Sequence, residues 1–187
     1  MYAYEVDGFG NSVFMDDANI PGLLSLPYLG YVAEDDEIYI NTRDAVLARE
    51  TNPFYFEGKV GAGVGGPHQG YGKVWPMAIT VQALTSTSSS EIKRCLDMLV
   101  EATAGYGFMH ESFNKDDATD FTRPWFAWAN SLFGELVVKI MNEYPEMILK
   151  SAVPTVAASG KKIFINRHGE KKWMLGCLND VGQGTLT

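Results

Sequence analysis

The chain has 187 residues, 46% of them apolar and 12% aromatic, which is enough to bury a core in one domain, or one domain plus a tail. A formal charge of −8 argues against nucleic acid or an anionic membrane surface as partner. No run reaches the roughly 18 apolar residues of a membrane span.

The N-terminus, MYAYEVDGFG, has neither the basic nor the apolar region of a secretory signal. The expectation is therefore a cytoplasmic chain, or one that begins inside a longer protein. Residues 2–15 predict a hairpin: Tyr2, Tyr4 and Val6 alternate, DGFGN supplies the turn, and Val13 to Met15 return. Residues 20–32, apolar with two prolines, predict a short helix and an extended piece. Residues 35–50 predict a helix whose acidic start suits the positive helix N-terminus. The glycine-dense, aromatic stretch 53–72 predicts a short strand pair and a long loop. VWPMAITVQALTS, residues 74–86, is apolar almost all round, the mark of a helix buried on both sides.

Ser88 and Glu91 are spaced as a capping box for a helix over 89–104, with an apolar stripe through Ile92, Cys95, Leu96, Leu99 and Ala102. Cys95 and Cys177 match no metal or redox spacing, and Cys95 reads as a buried free thiol. Thr122 reads as the cap of a last, two-sided helix over 123–143, with Pro124 in its first turn. Fully apolar helices thus alternate with amphipathic ones across long aromatic loops. That pattern suits a barrel of helical hairpins better than a four-helix bundle, whose connections are short. Residues 151–187 hold five basic and two acidic residues, so the composition changes near residue 150. KKIFINRHGEKKWML reads as a basic hairpin around Gly169 within an appended tail.

Several motifs fail on context. GAGVGG, residues 61–66, spells a dinucleotide fingerprint, but Pro67, His68 and more loop follow where a helix must begin. DDATD, residues 116–120, spells the magnesium motif of isoprenoid synthases. Its carboxylates share a face only on a helix, and here they fall between helices. His110–Glu111 is not H-E-x-x-H, because Asn114 stands at the second histidine's place. Ser112 lacks a nucleophile elbow. His68 and His110 read equally as hydrogen-bonded loop histidines.

GYGFMHESFNKDD, residues 105–117, sets Glu111 close to Tyr106, Phe108 and Phe113. A carboxylate in an aromatic loop before a buried helix fits glycoside hydrolysis, which uses two carboxyl groups across a sugar. One glutamate among 23 acidic residues is weak evidence, and spacing alone favours an ordinary loop residue.

YAYEVDGFGNSVFMDDANIPGLLSLPYLGY (2–31), TNPFYFEGKVGAGVGGPH (51–68), VWPMAITVQALTS (74–86) and GFMHESFNKDDATDFTRPWFAWANSLFGEL (107–136) carry a resemblance. Occurring in this order, they resemble glycoside hydrolase family 125, the exo-acting α-1,6-mannosidases, over residues 1–149. The resemblance implies an all-α chain, about half the helical ring of an (α/α)6 barrel, with short β-hairpins confined to loops. It implies a metal-independent, inverting hydrolase without cofactor, acting on non-reducing terminal mannose of an oligosaccharide or glycan. Glu111, the glutamate of H-E-S-F, takes the general base's place. His68, His110, Asp16, Asp17 and Trp125 are the implied substrate contacts, with core packing an equal reading for Trp125 and Trp128.

The family's general acid is an aspartate from an earlier segment, and Asp16–Asp17 belongs to a different stretch. The resemblance therefore covers the C-terminal part of a catalytic domain over residues 1–149. Residues 150–187 match nothing in it and read as a tail of uncertain order. The isolated chain is expected to have little activity, and a separate N-terminal half is an implied partner. The rivals are a mannose-binding remnant or subunit, and a magnesium-dependent enzyme using Asp116, Asp117 and Asp120.

Overall fold

Strands β1 (Glu5–Val6) and β2 (Ser12–Val13) pair antiparallel, Glu5 opposite Val13 and Val6 opposite Ser12. Both are exposed, so the turn rather than burial holds them. The Asp7 carboxylate accepts the N–H groups of Phe9 and Asn11, both at 2.9 Å. The molecule is a computed structural model that describes residues 1–152, 155–156, 162–165 and 171–172.

A 3-10 turn, Leu23–Ser25, buries Leu24 and Ser25. Helix α1 (Glu37–Val46) starts at Asp36, whose side chain accepts the Tyr39 N–H at 2.8 Å. The buried Tyr39 hydroxyl donates to the Leu24 carbonyl at 2.9 Å, satisfying a polar group that would otherwise be costly inside. Strands β3 (Tyr55–Glu57) and β4 (Ala62–Val64) form an antiparallel pair.

Strand β5 (Lys73–Val74) leads into helix α2 (Pro76–Leu84), in which every residue is buried. Proline at its first position forfeits an N–H that had no helical partner. Helix α3 (Ser89–Ala102) buries Ile92, Cys95, Leu99 and Ala102. Burial pushes the Cys95 thiol up to about 12, which keeps it protonated. Past this helix Ala104 and Gly105 take positive φ of 49° and 83°, turning the chain away. Strands β6 (Ser112–Asn114) and β7 (Asp117–Thr122) join β5 in an antiparallel sheet of order β5–β6–β7. Helix α4 (Ala127–Glu143) packs, like α3, against the fully buried α2 at the centre of the core.

The capping box forms only in part. Ser88 accepts the Glu91 N–H, but the Glu91 carboxylate turns away from the helix start. It accepts Gln82 Nε2 at 2.7 Å, the Ser86 hydroxyl, and the Arg43 guanidinium at 3.2 Å. Arg43 also donates to the Gln82 carbonyl, so one half-buried network ties α1, α2 and α3 together.

The expectation of an all-α chain is corrected. Among the described residues Met1–Tyr144, four α-helices share the unit with three small antiparallel sheets, so the chain is mixed α and β. The difference arises at residues 112–122, expected as a loop and a helix cap. There Phe113 lies opposite both Val74 and Phe121, and burying it selects a sheet. Thr122 therefore ends β7 instead of capping a helix, and α4 starts four residues later than expected, behind Phe126. Helix α4 is also one-sided: Ala129, Leu136 and Ile140 are buried, while Trp128, Val138 and Met141 are exposed. Among the described residues no helix is long and apolar enough to cross a membrane.

A second unit begins at Pro145. It holds α5 (Glu146–Ala152), β8 (Thr155–Val156), β9 (Lys162–Ile165) and β10 (Lys171–Lys172). β9 pairs antiparallel with β10 and with β8. The expected turn at Gly169 and the thiol of Cys177 lie outside the described residues.

Candidate active site

Glu111 immediately precedes β6. Its N–H donates to the Thr122 carbonyl at 3.1 Å, extending the β6–β7 ladder by one bond. Ser112 lies opposite Thr122, so the next residue along, Arg123, comes out across from Glu111. The Arg123 guanidinium Nε stands 3.5 Å from Oε1 of Glu111 and also lies over the Phe126 ring. Arg123 adopts a φ of 47°, unusual for a residue with a side chain, where the chain leaves the sheet. Glu111 itself is only 2% exposed. Its Oε2 accepts Nε2 of Gln69 at 2.8 Å.

The backbone behind the glutamate is pinned to α4. Asn130 donates to the Met109 carbonyl at 2.9 Å and accepts the Met109 N–H at 3.1 Å. The Phe126 N–H donates to the same carbonyl. His110 is buried and stacks on Phe121, centroids 3.8 Å apart. Its Nδ1 donates to the Pro124 carbonyl at 2.8 Å, since a carbonyl can only accept. Its Nε2 is buried with no hydrogen-bond partner among the described residues. Of the aromatic residues near it in sequence, Tyr106, Phe108 and Trp125 are exposed, Trp125 by 58%.

His68 is exposed on the loop after β4, next to Gln69. That loop is bound to the Asp16–Asp17 stretch. The Ala18 N–H donates to the Gly65 carbonyl at 2.8 Å, and a Cβ on Gly66 would lie 3.6 Å from Cβ of Asp17. Gly65 itself must be glycine, because a Cβ there would meet the Lys73 carbonyl oxygen at 1.9 Å. Asp17 accepts the Tyr4 hydroxyl at 3.1 Å. Asp16 is 1% exposed, and its oxygens accept the N–H groups of Leu23, Leu24 and Asp17. The structure therefore joins Glu111 to the His68 loop through Gln69, and that loop to Asp17. Asp16 faces inward as a fastening for the Leu23 turn.

Burial pushes the Asp16 carboxyl up from 3.8 to about 7, against its backbone donors and helped by the Asp17 charge. The folded state then binds this proton more tightly than the unfolded state. Asp16's contribution to stability is greatest below pH 4 and is lost as pH rises to 7, by at most about 1.4 kcal/mol per unit. Denaturant melts at pH 5.5 and 7.5 should show acidification stabilising the protein more than an Asp16→Asn variant.

The DDATD carboxylates are engaged elsewhere. Asp116 pairs with Lys115, and Asp120 pairs with Lys73 and accepts the Asn114 amide. They lie at and along the exposed β7 strand, with no helix to align them. Two residues of the site escaped the sequence reading. Gln69 is the only amide in the glycine loop 61–72, which was the available signal. Arg123 had none, because its place depends on strand register.

A solved structure of a Streptococcus pneumoniae metal-independent alpha mannosidase, a non-productive substrate complex with alpha-1,6-mannobiose, is similar with 47% identity and a TM-score of 0.73. The similarity covers 76% of this chain and 33% of that one. The meiotically up-regulated gene 157 protein of Schizosaccharomyces pombe is 55% identical over 152 residues, 81% of this chain and 30% of the relative. The chain thus spans about a third of the length of either relative. The model of the metal-independent alpha-mannosidases, GH125, matches residues 1–138, and by that match and these identities the chain belongs to glycoside hydrolase family 125.

Proposed function

We propose that residues 1–149 are the C-terminal part of an exo-α-1,6-mannosidase catalytic domain, in which Glu111 is the general base of an inverting hydrolysis. A buried carboxylate with one amide donor carries the reading; Tyr106, whose ring stands edge-on to the neighbouring His110, is exposed, as is Trp125. Glu111 takes a proton from water as the water oxygen bonds to the anomeric carbon of a terminal mannose. The glycosidic carbon–oxygen bond breaks, and its electron pair leaves with the departing oxygen. The exposed rings suit the apolar faces of a sugar. His68, Asp17 and Trp125 are the proposed contacts to it, while His110 and Asp16 are buried. The reaction needs no metal or cofactor.

The group that protonates the leaving oxygen is proposed to come from a partner segment outside residues 1–149. The exposed apolar face of α4 supports such a partner. The isolated chain is then nearly inactive on α-1,6-mannobiose, since general-acid help is worth about 10²–10⁴ in rate. Dinitrophenolate, a good leaving group, needs no such proton. The chain should therefore release it from dinitrophenyl α-mannoside, and proton NMR of the first product should show β-mannose. Release of α-mannose first, or no release at all, would overturn the assignment.

A further inference from the structure

We propose that Gln69 is the positioning residue of Glu111: it fixes Oε2, so that Oε1 is the oxygen that receives the proton of the attacking water. The proposal rests on the general-base reading above. The terminal torsion of a glutamate is soft, and half a turn exchanges its two oxygens. Glu111 is buried, so bulk water does not orient it. Among the described residues its carboxylate accepts one hydrogen bond, from Gln69 at 2.8 Å. Arg123 at 3.5 Å from Oε1 is too distant for a firm hydrogen bond and leaves that oxygen's lone pairs available.

The loop that delivers Gln69 is fastened at both ends. Gly65 accepts the Ala18 N–H at 2.8 Å, and Gly72 accepts the Lys115 N–H at 3.0 Å from the β6–β7 hairpin. Gly70 and Gly72 hold φ of 90° and 78°, a backbone that glycine adopts without strain. The amide therefore arrives at a defined place. Its chemistry is also apt. As a neutral donor Gln69 orients the carboxylate without adding a second cation; the one positive group beside it, Arg123, stands 3.5 Å from Oε1 and is 60% exposed, so solvent screens its opposition to protonation of the base.

The test measures kcat and KM of the full chain on dinitrophenyl α-mannoside, for Gln69→Leu and Gln69→Asn beside the unsubstituted protein and Glu111→Gln. Asparagine keeps the amide but is one methylene too short to reach, and it serves if the leucine variant does not fold. Both variants should lose about 10–100-fold in kcat, the scale of a misplaced catalytic group, with KM and melting temperature nearly unchanged. If kcat is retained in both while Glu111→Gln is inactive, Gln69 does not position the base, and the base reading stands. A raised KM at constant kcat would make Gln69 a substrate contact and overturn the proposal. A rate independent of Glu111 would sink the base reading, and this inference with it.

Discussion

Replacing Glu111 by glutamine is expected to lower kcat on an activated α-mannoside by about 10²–10⁴-fold, the usual worth of a general base. The substitution keeps the shape of the side chain and removes its capacity to take a proton. Gln69 can still meet the new amide by turning its own, so the local packing survives. Arg123, largely exposed, returns to solvent at small cost. Activity and stability should therefore separate. Melting temperature stays near that of the unsubstituted protein while dinitrophenolate release collapses. A Glu111→Gln chain that releases dinitrophenolate at the parent rate would show that another group activates the water.

Phe113→Ala should be the most damaging change to the core of the site, with a loss of about 3–5 kcal/mol expected for a fully buried phenylalanine. Phe113 has no exposed surface. It is the middle residue of β6, paired with Val74 on one side and Phe121 on the other. Its ring also closes against Gly61, where an added Cβ would lie 3.4 Å from its Cζ. Truncation leaves a cavity at the junction of β5, β6 and the β4 approach, two residues from Glu111. Against a total stability of about 5–15 kcal/mol, that loss would leave little folded margin. Urea denaturation followed by tryptophan fluorescence measures it. A shift of less than about 1 kcal/mol would mean that the sheet is not part of the cooperative core.

Much of the helical skeleton was legible because helix signals are local. A proline at the first position and a nearly all-round apolar run identify α2, and the stripe through Ile92, Cys95 and Leu99 identifies α3. The exposed hairpin at Asp7 was legible for the same reason, since its turn chemistry lies within five residues. The three-stranded sheet was not. β5 and β6 each have three residues or fewer, too short for alternation to register, and they come from segments about forty residues apart. A partner from another helix defeated the capping box. Glu91 had a local partner in Ser88, but Arg43 and Gln82 offered a charge and an amide in a half-buried setting. Charge-assisted bonds there outweigh one exposed backbone donor.

The sequence alone raised Glu111 as a candidate, through the ordered set of stretches whose last one contains H-E-S-F, and placed helices on both sides of it. Only tertiary structure decided that this carboxylate is buried, that an amide 42 residues earlier holds one of its oxygens, and that Arg123 faces the other. It also turned an expected all-helical chain into a mixed one. The physical reason is range. Helices and turns close their hydrogen bonds within a few residues, whereas a strand partner and a carboxylate's donor are chosen by which distant segments bury the same side chain, here Phe113.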